Sequence, residues 1–392
     1  MREVVLINIS RTPLCSIGGA LKDKTAAWLG IMALNDAVEK FGLAKEDVNT
    51  IFASSLNHDL HAVNLGRYIT LGGQFPMSTS SVTVEMAEGS ILTAMNHAAS
   101  KIALGLDEVC LVGGMDSWSQ KPTFMPTDAA PYQMIQPAPL DMRNTPFDDE
   151  NLNHIEISDR IAKLYSVSRA QCDEEAAKSR EAYGKAVADG LLGDEIVPYT
   201  IPATRKTPEI TVTADNISTV QAEELSSMPA LRGGVCTAGN VAHLTEGAGF
   251  VLMMSAEKAK TMGLKPLARW VAGADVGCEP NVTGVAAAWS NLKALKFAGL
   301  EIKDIAVWEN NQITAAYDIC TRKEMARKAY TSMKDVHWNG LGGALAVGNS
   351  GVVAGIWMAN AAIREMDKAG QFAMLSSCGG GGIGVSTILE KL

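Results

Sequence analysis

The sequence has no CxxC pair, no HxxxH or HxH pair, no long apolar run and no excess of positive charge. Its seven cysteines (Cys15, Cys110, Cys172, Cys236, Cys278, Cys320 and Cys378) are scattered and odd in number. That argues against a disulfide framework and fits a reduced, cytoplasmic chain. His58 and His61 are three apart with no cysteine near them, so no metal site is expected. No stretch reaches the about 18 apolar residues a membrane span needs. The opening MREVVLINIS reads as a strand, too short and too polar for a signal peptide. The net charge of −9 argues against nucleic acid or an anionic membrane as partner.

What is there is apolar surface. Hydrophobic residues make up 47% and charged residues 20% of 392, enough for a sizeable core and incompatible with global disorder. The length suits two domains or one large duplicated α/β unit.

The segment LSSCGGGGIGVSTILE, residues 375–390, sets one cysteine, Cys378, between an apolar run and four glycines. Glycines between two strands supply no packing and are expected where the main chain turns sharply or approaches something closely. Two readings stay open for this segment: a buried cysteine beside a tight hairpin, or a reactive thiol at a site.

Patterning predicts strands at 3–9, 50–54, 82–85 and 108–114, and helices over about 25–41 and 90–104. Residues 154–190 read as two helices, the second beginning at Ser168 or Arg169 and ending at Gly190. The second half repeats the first. NDAVEKFGLAKEDVNTIF (35–52) and the helix 291–298 with its Gly299 stop and EIKDIAVWE share a helix, a Gly-Leu stop, a charged link and a strand. A further turn, long helix and strand follow in both, ending at 108–114 and at FAMLS before Cys378. Matching order argues for domain-scale duplication, each half a layered α/β unit with mixed sheet. A boundary is expected near residue 265, giving 1–265, with an excursion over 121–240, and 266–392.

Five ordered motifs carry a resemblance to the thiolase family over almost the whole chain. They are Arg11-Thr12-Pro13 with Gly18-Gly19, Gly113-Gly114-Met115-Asp116-Ser117, Thr237-Ala238-Gly239-Asn240, Asn339 with Gly342-Gly343-Ala344 and Gly348, and Cys378 with Gly379 to Gly384. The resemblance implies the duplicated five-layer thiolase fold (αβαβα) with an inserted loop domain. It also implies a coenzyme A thioester as substrate or ligand, no permanently bound cofactor, and at least a dimer. The dimer would be a homodimer or a heteromer with a thiolase paralogue, and some relatives add a small accessory subunit. The strand at 108–114 is expected at a sheet edge, where it would suit a strand-paired dimer.

The departures bear on chemistry. Where the family resemblance puts an acyl-accepting cysteine, in TVNxxCxSG, this chain has Glu88. The histidine of GHP becomes Asn349, and NEAF keeps its asparagine as Asn311 while its acid becomes Gln312. In SGxxDG the serine becomes Ala242 and the glycine His243, while the C-terminal catalytic cysteine survives as Cys378. The resemblance therefore makes Cys378, Glu88, Asn349 and Asn311 the candidate catalytic residues, and Ala242, His243 and Gly380 the candidate coenzyme A contacts.

A carboxylate at a helix N-terminus is favoured by the helix dipole but is a weaker acyl acceptor than a thiolate. Asn349 can donate to an oxyanion but cannot take a proton. The resulting expectation is an enzyme of altered chemistry on an acyl-CoA or 3-oxoacyl-CoA, with Glu88 and Cys378 as an acid/base pair. The alternatives are acyl transfer through Glu88, a silent subunit of a heteromeric thiolase, and a CoA-binding protein without chemistry. Of the remaining residues, Cys110 reads as core and Cys236 as packing near the pocket. The resemblance puts His154 close to the family's pocket residues, although a lone histidine is more often simply solvated, and Trp118 with the Met-rich 115–142 stretch reads as core or dimer contacts. A buried Glu85 close to Glu88 would raise the pKa of one of the two.

Overall fold

The computed structural model describes residues 1–57, 59, 62–124, 138–139, 143–203, 205, 208–218, 220–334 and 336–392. The expectation for His58 and His61, and most of that for the Met-rich stretch, fall outside these residues.

In chain order the N-terminal half contains β1 (Val4–Arg11), α1 (Ala26–Phe41), β2 (Thr50–Ser54), α2 (Leu65–Gly72), β3 (Ser80–Thr83), α3 (Ser90–Ala103) and β4 (Val109–Asp116). Helices α4 (His154–Leu164) and α5 (Arg169–Ala188) follow, and β5 (Thr245–Ser255) completes this half. The C-terminal half contains β6 (Ala268–Gly277), α6 (Ala286–Ala298), β7 (Ile305–Asn310), α7 (Ala315–Ala329), α8 (Ala354–Glu365), β8 (Phe372–Gly379) and β9 (Ile383–Lys391).

The first half-sheet runs β3-β2-β4-β5-β1, and the second runs β7-β8-β9-β6. The two meet through a short β1–β6 pairing at Val5–Arg269 and Leu6–Ala268. A parallel bridge from Trp308 on β7 to Trp338 stands where β3 flanks β2 in the first half. The duplication read from the sequence is therefore repeated in strand order.

Local chemistry sets the helix ends. Thr25 Oγ1 caps α1 by accepting from Trp28 N at 3.1 Å. Both α1 and α6 stop at a left-handed glycine, Gly42 at φ 62° and Gly299 at φ 69°, where a side chain would be strained. Capping boxes open α4 (Asn153 with Glu156) and α5 (Ser168 with Gln171).

The strands are apolar on both faces because each half-sheet lies between helix layers. Leu111 packs outward with Leu29 and Leu34 of α1. Its neighbour Val112 packs inward with Ile91 of α3 and Ile356 of α8. In the second half Leu375 faces that same central layer, while Met374 packs outward with Leu295 of α6 and Met325 of α7. Helices α3 and α8 thus form the middle of five layers, the thiolase fold anticipated from the motifs.

Some expectations are corrected. The strand at 108–114 is interior, paired with β5 on one side and β2 on the other. The free edge of that half is β3, which starts at Ser80, two residues before the expected strand. The long helix of the second half opens with a tight 3-10 turn at Gly351–Val353, and its α-helical part begins at Ala354. Among the described residues no helix is long and apolar enough to cross a membrane.

Candidate functional site

The site forms where the turn ahead of α3 meets the glycine run after β8. Ala87 adopts φ 49°, the left-handed region a β-carbon disfavours. Ser90 stabilises this turn, its Oγ accepting from Met86 N at 2.8 Å and donating to Ala87 O at 2.6 Å. Glu88 follows, just before the helix, where the N-terminal end of the dipole favours an anion. It is only 3% exposed.

The glycines after Cys378 answer to this turn. A β-carbon on Gly379 would lie 2.8 Å from Met86 O and 2.9 Å from Ala87 Cβ. One on Gly380 would lie 2.3 Å from Asn144 Oδ1. Gly381 and Gly382 then reverse the chain at φ 81° and φ 86°. Close approach and reversal together account for the run, so the bare hairpin reading is incomplete.

A cavity of about 360 Å3 opens over this junction. Its wall includes Glu88, Asn349 and Gly380, with His154, Trp118 and Lys121 across from them. Three of the residues read from the sequence are therefore brought together. Cys378 is not on the wall: it is buried behind Glu88 and Gly380, packed with Tyr317 and Ile157. Asn311 is also off the wall. It lines a separate small void with Gly348 and Ser350, its Nδ2 donating to Ser377 Oγ at 3.4 Å and its Oδ1 left without a partner. Ala242 is buried, its N–H bonded to Ile313 O at 3.1 Å, and like His243 it does not line the cavity. The His243 Nε2 is enclosed without a hydrogen-bond partner, and burial pushes the imidazole pKa down.

Asn349 Oδ1 accepts from Gly351 N at 3.0 Å, and its main-chain N–H donates to His243 O at 2.6 Å. Among the described residues nothing accepts from its Nδ2, which leaves an amide donor at the cavity wall. Asp116 braces this loop. Its Oδ1 accepts from Ser55 Oγ, Leu56 N and Asn57 N, and its Oδ2 from Val352 N.

Glu88 has an unexpected partner. Its Oε1 lies 3.2 Å from His154 Nε2, while His154 Nδ1 lies 3.1 Å from Tyr317 Oη. Glu88 Oε2 is buried without a hydrogen-bond partner. Burial alone would raise the Glu88 pKa, but His154 and the nearby N–H groups of Glu88 and Gly380 outweigh it, leaving the carboxyl below its usual range. Burial opposes the charged form of His154 too, and Glu88 outweighs it, so the imidazole pKa is raised. Burial first, then the charge of Glu88, pushes the Cys378 thiol well above its ordinary value. Glu85 is exposed at the cavity rim and is not what shifts Glu88.

His154, near the pocket as the resemblance implies, is paired with Glu88 instead of being simply solvated, and Tyr317 is a member the sequence reading does not single out. The helix expected from residue 154 puts His154 in its first turn, and the Asn153-x-x-Glu156 capping box fixes that start. Nothing local marks Tyr317, which comes from α7, 163 residues further on.

Two family models cover nearly the whole chain: "Thiolase, N-terminal domain" over residues 4–257 and "Thiolase, C-terminal domain" over residues 264–391. The chain belongs to the thiolase family. Curated relatives include mitochondrial acetyl-CoA acetyltransferase of Rattus norvegicus, 31% identical over all of this chain and 92% of that protein. Acetyl-CoA acetyltransferase of Syntrophomonas wolfei is also 31% identical, over the full length of both. Among solved structures, the acetyl-CoA acetyltransferase of Bacillus anthracis superposes with a TM-score of 0.92 at 27% identity, covering 100% of this chain and 99% of the other. Human mitochondrial 3-ketoacyl-CoA thiolase gives 0.89 at 27% identity, with the same coverage.

Proposed function

We propose that this thiolase-family protein is an enzyme acting on an acyl-CoA or 3-oxoacyl-CoA thioester by acid–base chemistry at the α-carbon, with Glu88 as base and Cys378 as acid. The names of its relatives support the substrate class: those 31% identical are acetyl-CoA acetyltransferases. The observation that carries the reading is the placement of Glu88 and Asn349 on the wall of one cavity, a buried carboxylate and an amide whose Nδ2 has no acceptor among the described residues. Glu88 replaces the thiol on which the family's acyl-enzyme forms, so the proposed cycle does without that intermediate.

In the proposed step the α C–H bond breaks and the proton goes to the Glu88 carboxylate. The electron pair moves onto the thioester carbonyl oxygen, where Asn349 Nδ2–H donates to the developing charge. Cys378, kept as a neutral thiol by burial and by Glu88, lies off the wall, so its part in the cycle requires the Gly379–Gly382 turn to move; it then returns a proton to the carbon and is reprotonated from Glu88, which restores both groups. The enolate so formed can add to an electrophilic carbonyl, and the reverse sequence cleaves the same carbon–carbon bond. The exposed edge of β3 suits pairing with a second subunit, identical or paralogous.

The test is incubation of the purified protein with acetyl-CoA, longer acyl-CoA and 3-oxoacyl-CoA thioesters in D2O. Deuterium at the α-carbon, released CoA and protein-bound acyl groups are then followed by mass spectrometry. Exchange or turnover lost in Glu88→Gln and in Cys378→Ala supports the proposal. An acyl adduct on Glu88 replaces it with acyl transfer. Activity only after addition of a thiolase paralogue replaces it with a silent subunit.

A further inference from the structure

Glu88 works best as a base when its carboxyl group is held in one orientation. A carboxyl group enclosed to 3% exposure beside a thiol would also tend to take up a proton and stay neutral. Neither Cys378 nor Asn349 corrects this: the thiol carries no positive charge, and the amide cannot acquire one. Lys121 and Arg143 bring positive charge to the cavity wall, but Lys121 lies over Trp118, 5.7 Å from the ring centroid, and Arg143 is paired with Asp148. Glu85 at the rim has the wrong sign.

His154 has the required geometry. It is the N1 residue of α4, so its position is fixed by the Asn153–Glu156 capping box. Its Nε2 meets Glu88 Oε1 at 3.2 Å. Its Nδ1 meets Tyr317 Oη at 3.1 Å, and the two rings pack edge to face with centroids 5.8 Å apart. The phenol comes from α7 in the C-terminal half, so α4 and α7 together aim one imidazole at one carboxylate oxygen.

We propose that His154, clamped by Tyr317, is the positioning residue of this site: its contact with Glu88 Oε1 fixes the orientation of the carboxyl group that takes the substrate proton. This rests on the acid–base reading of Glu88 given above. The opposing shifts of the two groups agree with the geometry, the carboxyl falling and the imidazole rising. With both ring nitrogens protonated, Nε2–H donates to Glu88 and Nδ1–H to Tyr317 Oη. Burial keeps the phenol neutral and able to accept, its pKa raised well above the ordinary value with Cys378 and Glu88 adding to the effect. Among the described residues His154 is the one ionisable side chain paired with this carboxylate, and the pairing favours its charged form.

The test uses the full chain and two independent readouts. First, the histidine imidazoles are titrated by NMR with selectively labelled histidine in the wild type and in Glu88→Gln. The expected result is a His154 titration at least about one pH unit lower in the variant. Second, the pH profile of α-proton exchange is compared for the wild type, His154→Gln and Tyr317→Phe. In His154→Gln the acid limb should move up by about one unit or more, because Glu88 loses its counter-charge. In Tyr317→Phe the basic limb should move down, because His154 loses an acceptor. A wild type inert toward every thioester would overturn the acid–base reading but not the pairing, which the NMR titration decides alone. An unmoved His154 titration in Glu88→Gln overturns the inference. So does an active His154→Gln whose rate falls equally at every pH, since that is what a merely structural histidine would give.

Discussion

Asp116 Oδ2 accepts a 2.8 Å hydrogen bond from the main-chain N–H of Val352, joining the N-terminal half of the fold to the C-terminal half beside the cavity. Its other oxygen accepts from Ser55 Oγ, Leu56 N and Asn57 N. Leu56, Asn57 and Asn349 all line the cavity, and Asn349 bonds to Gly351, next to Val352. One buried carboxylate therefore fixes both sides of the site. Every partner is a donor, so Asp116→Asn forces an NH2 group against an N–H or O–H. The expected cost is about 1–3 kcal/mol, measured by urea unfolding. The Asn349 loop should be displaced as well, so turnover should fall even at temperatures where the variant stays folded. An unchanged midpoint together with unchanged turnover would show that the joint is not needed.

Gly379→Ala tests whether the glycine run exists for close approach. The added methyl would press on Met86 O and Ala87 Cβ, which are main chain or fixed directly to it and cannot swing away. Overpacking of this kind costs about 1–3 kcal/mol, and the displaced turn carries Glu88. Turnover should fall about tenfold or more, as small misplacements of a reacting group do. Gly190→Ala is the control, because a β-carbon there meets nothing within 4 Å, although its φ of 70° still carries strain. Equal losses of activity in the two variants would assign the effect to general destabilisation instead of contact at the turn.

The layers were legible because continuous apolar strand runs and glycine-stopped helices repeat in the same order in both halves. Gly42 and Gly299 mark equivalent stops, and Leu111 and Met374 face equivalent outer helices. Glu88 and Asn349 were legible as site residues because each stands in a loop that ordered motifs pin on both sides. The interior place of β4 was hidden because β5, its second neighbour, lies more than 100 residues away in sequence. The Glu88–His154–Tyr317 chain was hidden for the same reason. Its three members come from the start of α3, the start of α4 and the body of α7, and only tertiary packing brings them together.

Glu309 on β7 predicts a pH dependence of stability. It is fully buried, and burial first, then the charges of Glu365 and Asp318, push its carboxyl well above the usual range. The folded state therefore holds a proton that the unfolded chain releases near pH 4.5. Its stabilising contribution is fully present below that pH and is lost as pH rises toward the raised folded value, by up to about 1.4 kcal/mol per pH unit. Glu309→Gln imitates the protonated form and removes this dependence. Urea unfolding should find the variant close to the wild type at pH 4.5 to 5 and more stable than it at pH 8 to 9. A wild-type advantage that grows with pH would reverse the assignment.

The thiol of Cys378 reports the charge of Glu88 directly. Burial is the larger reason its pKa is raised, and the carboxylate of Glu88 is the next. Cys278 is an internal reference: it is half-buried, and burial followed by Glu279, not Glu88, pushes it up to about 11. Alkylation by iodoacetamide, followed by peptide mapping across a pH series, should find Cys378 reacting more slowly than Cys278 in the wild type. Glu88→Gln removes the negative charge while nearly preserving side-chain volume. The pH at which Cys378 becomes reactive should then fall, raising its rate about three- to tenfold at a fixed mildly alkaline pH. The Cys278 rate should stay where it was, which separates a change of charge from a general loosening of the fold. If the Cys378 profile does not move in Glu88→Gln, the two groups are not electrostatically coupled. Glu88 would then not be what keeps the thiol protonated, and the acid role of Cys378 would need another cause.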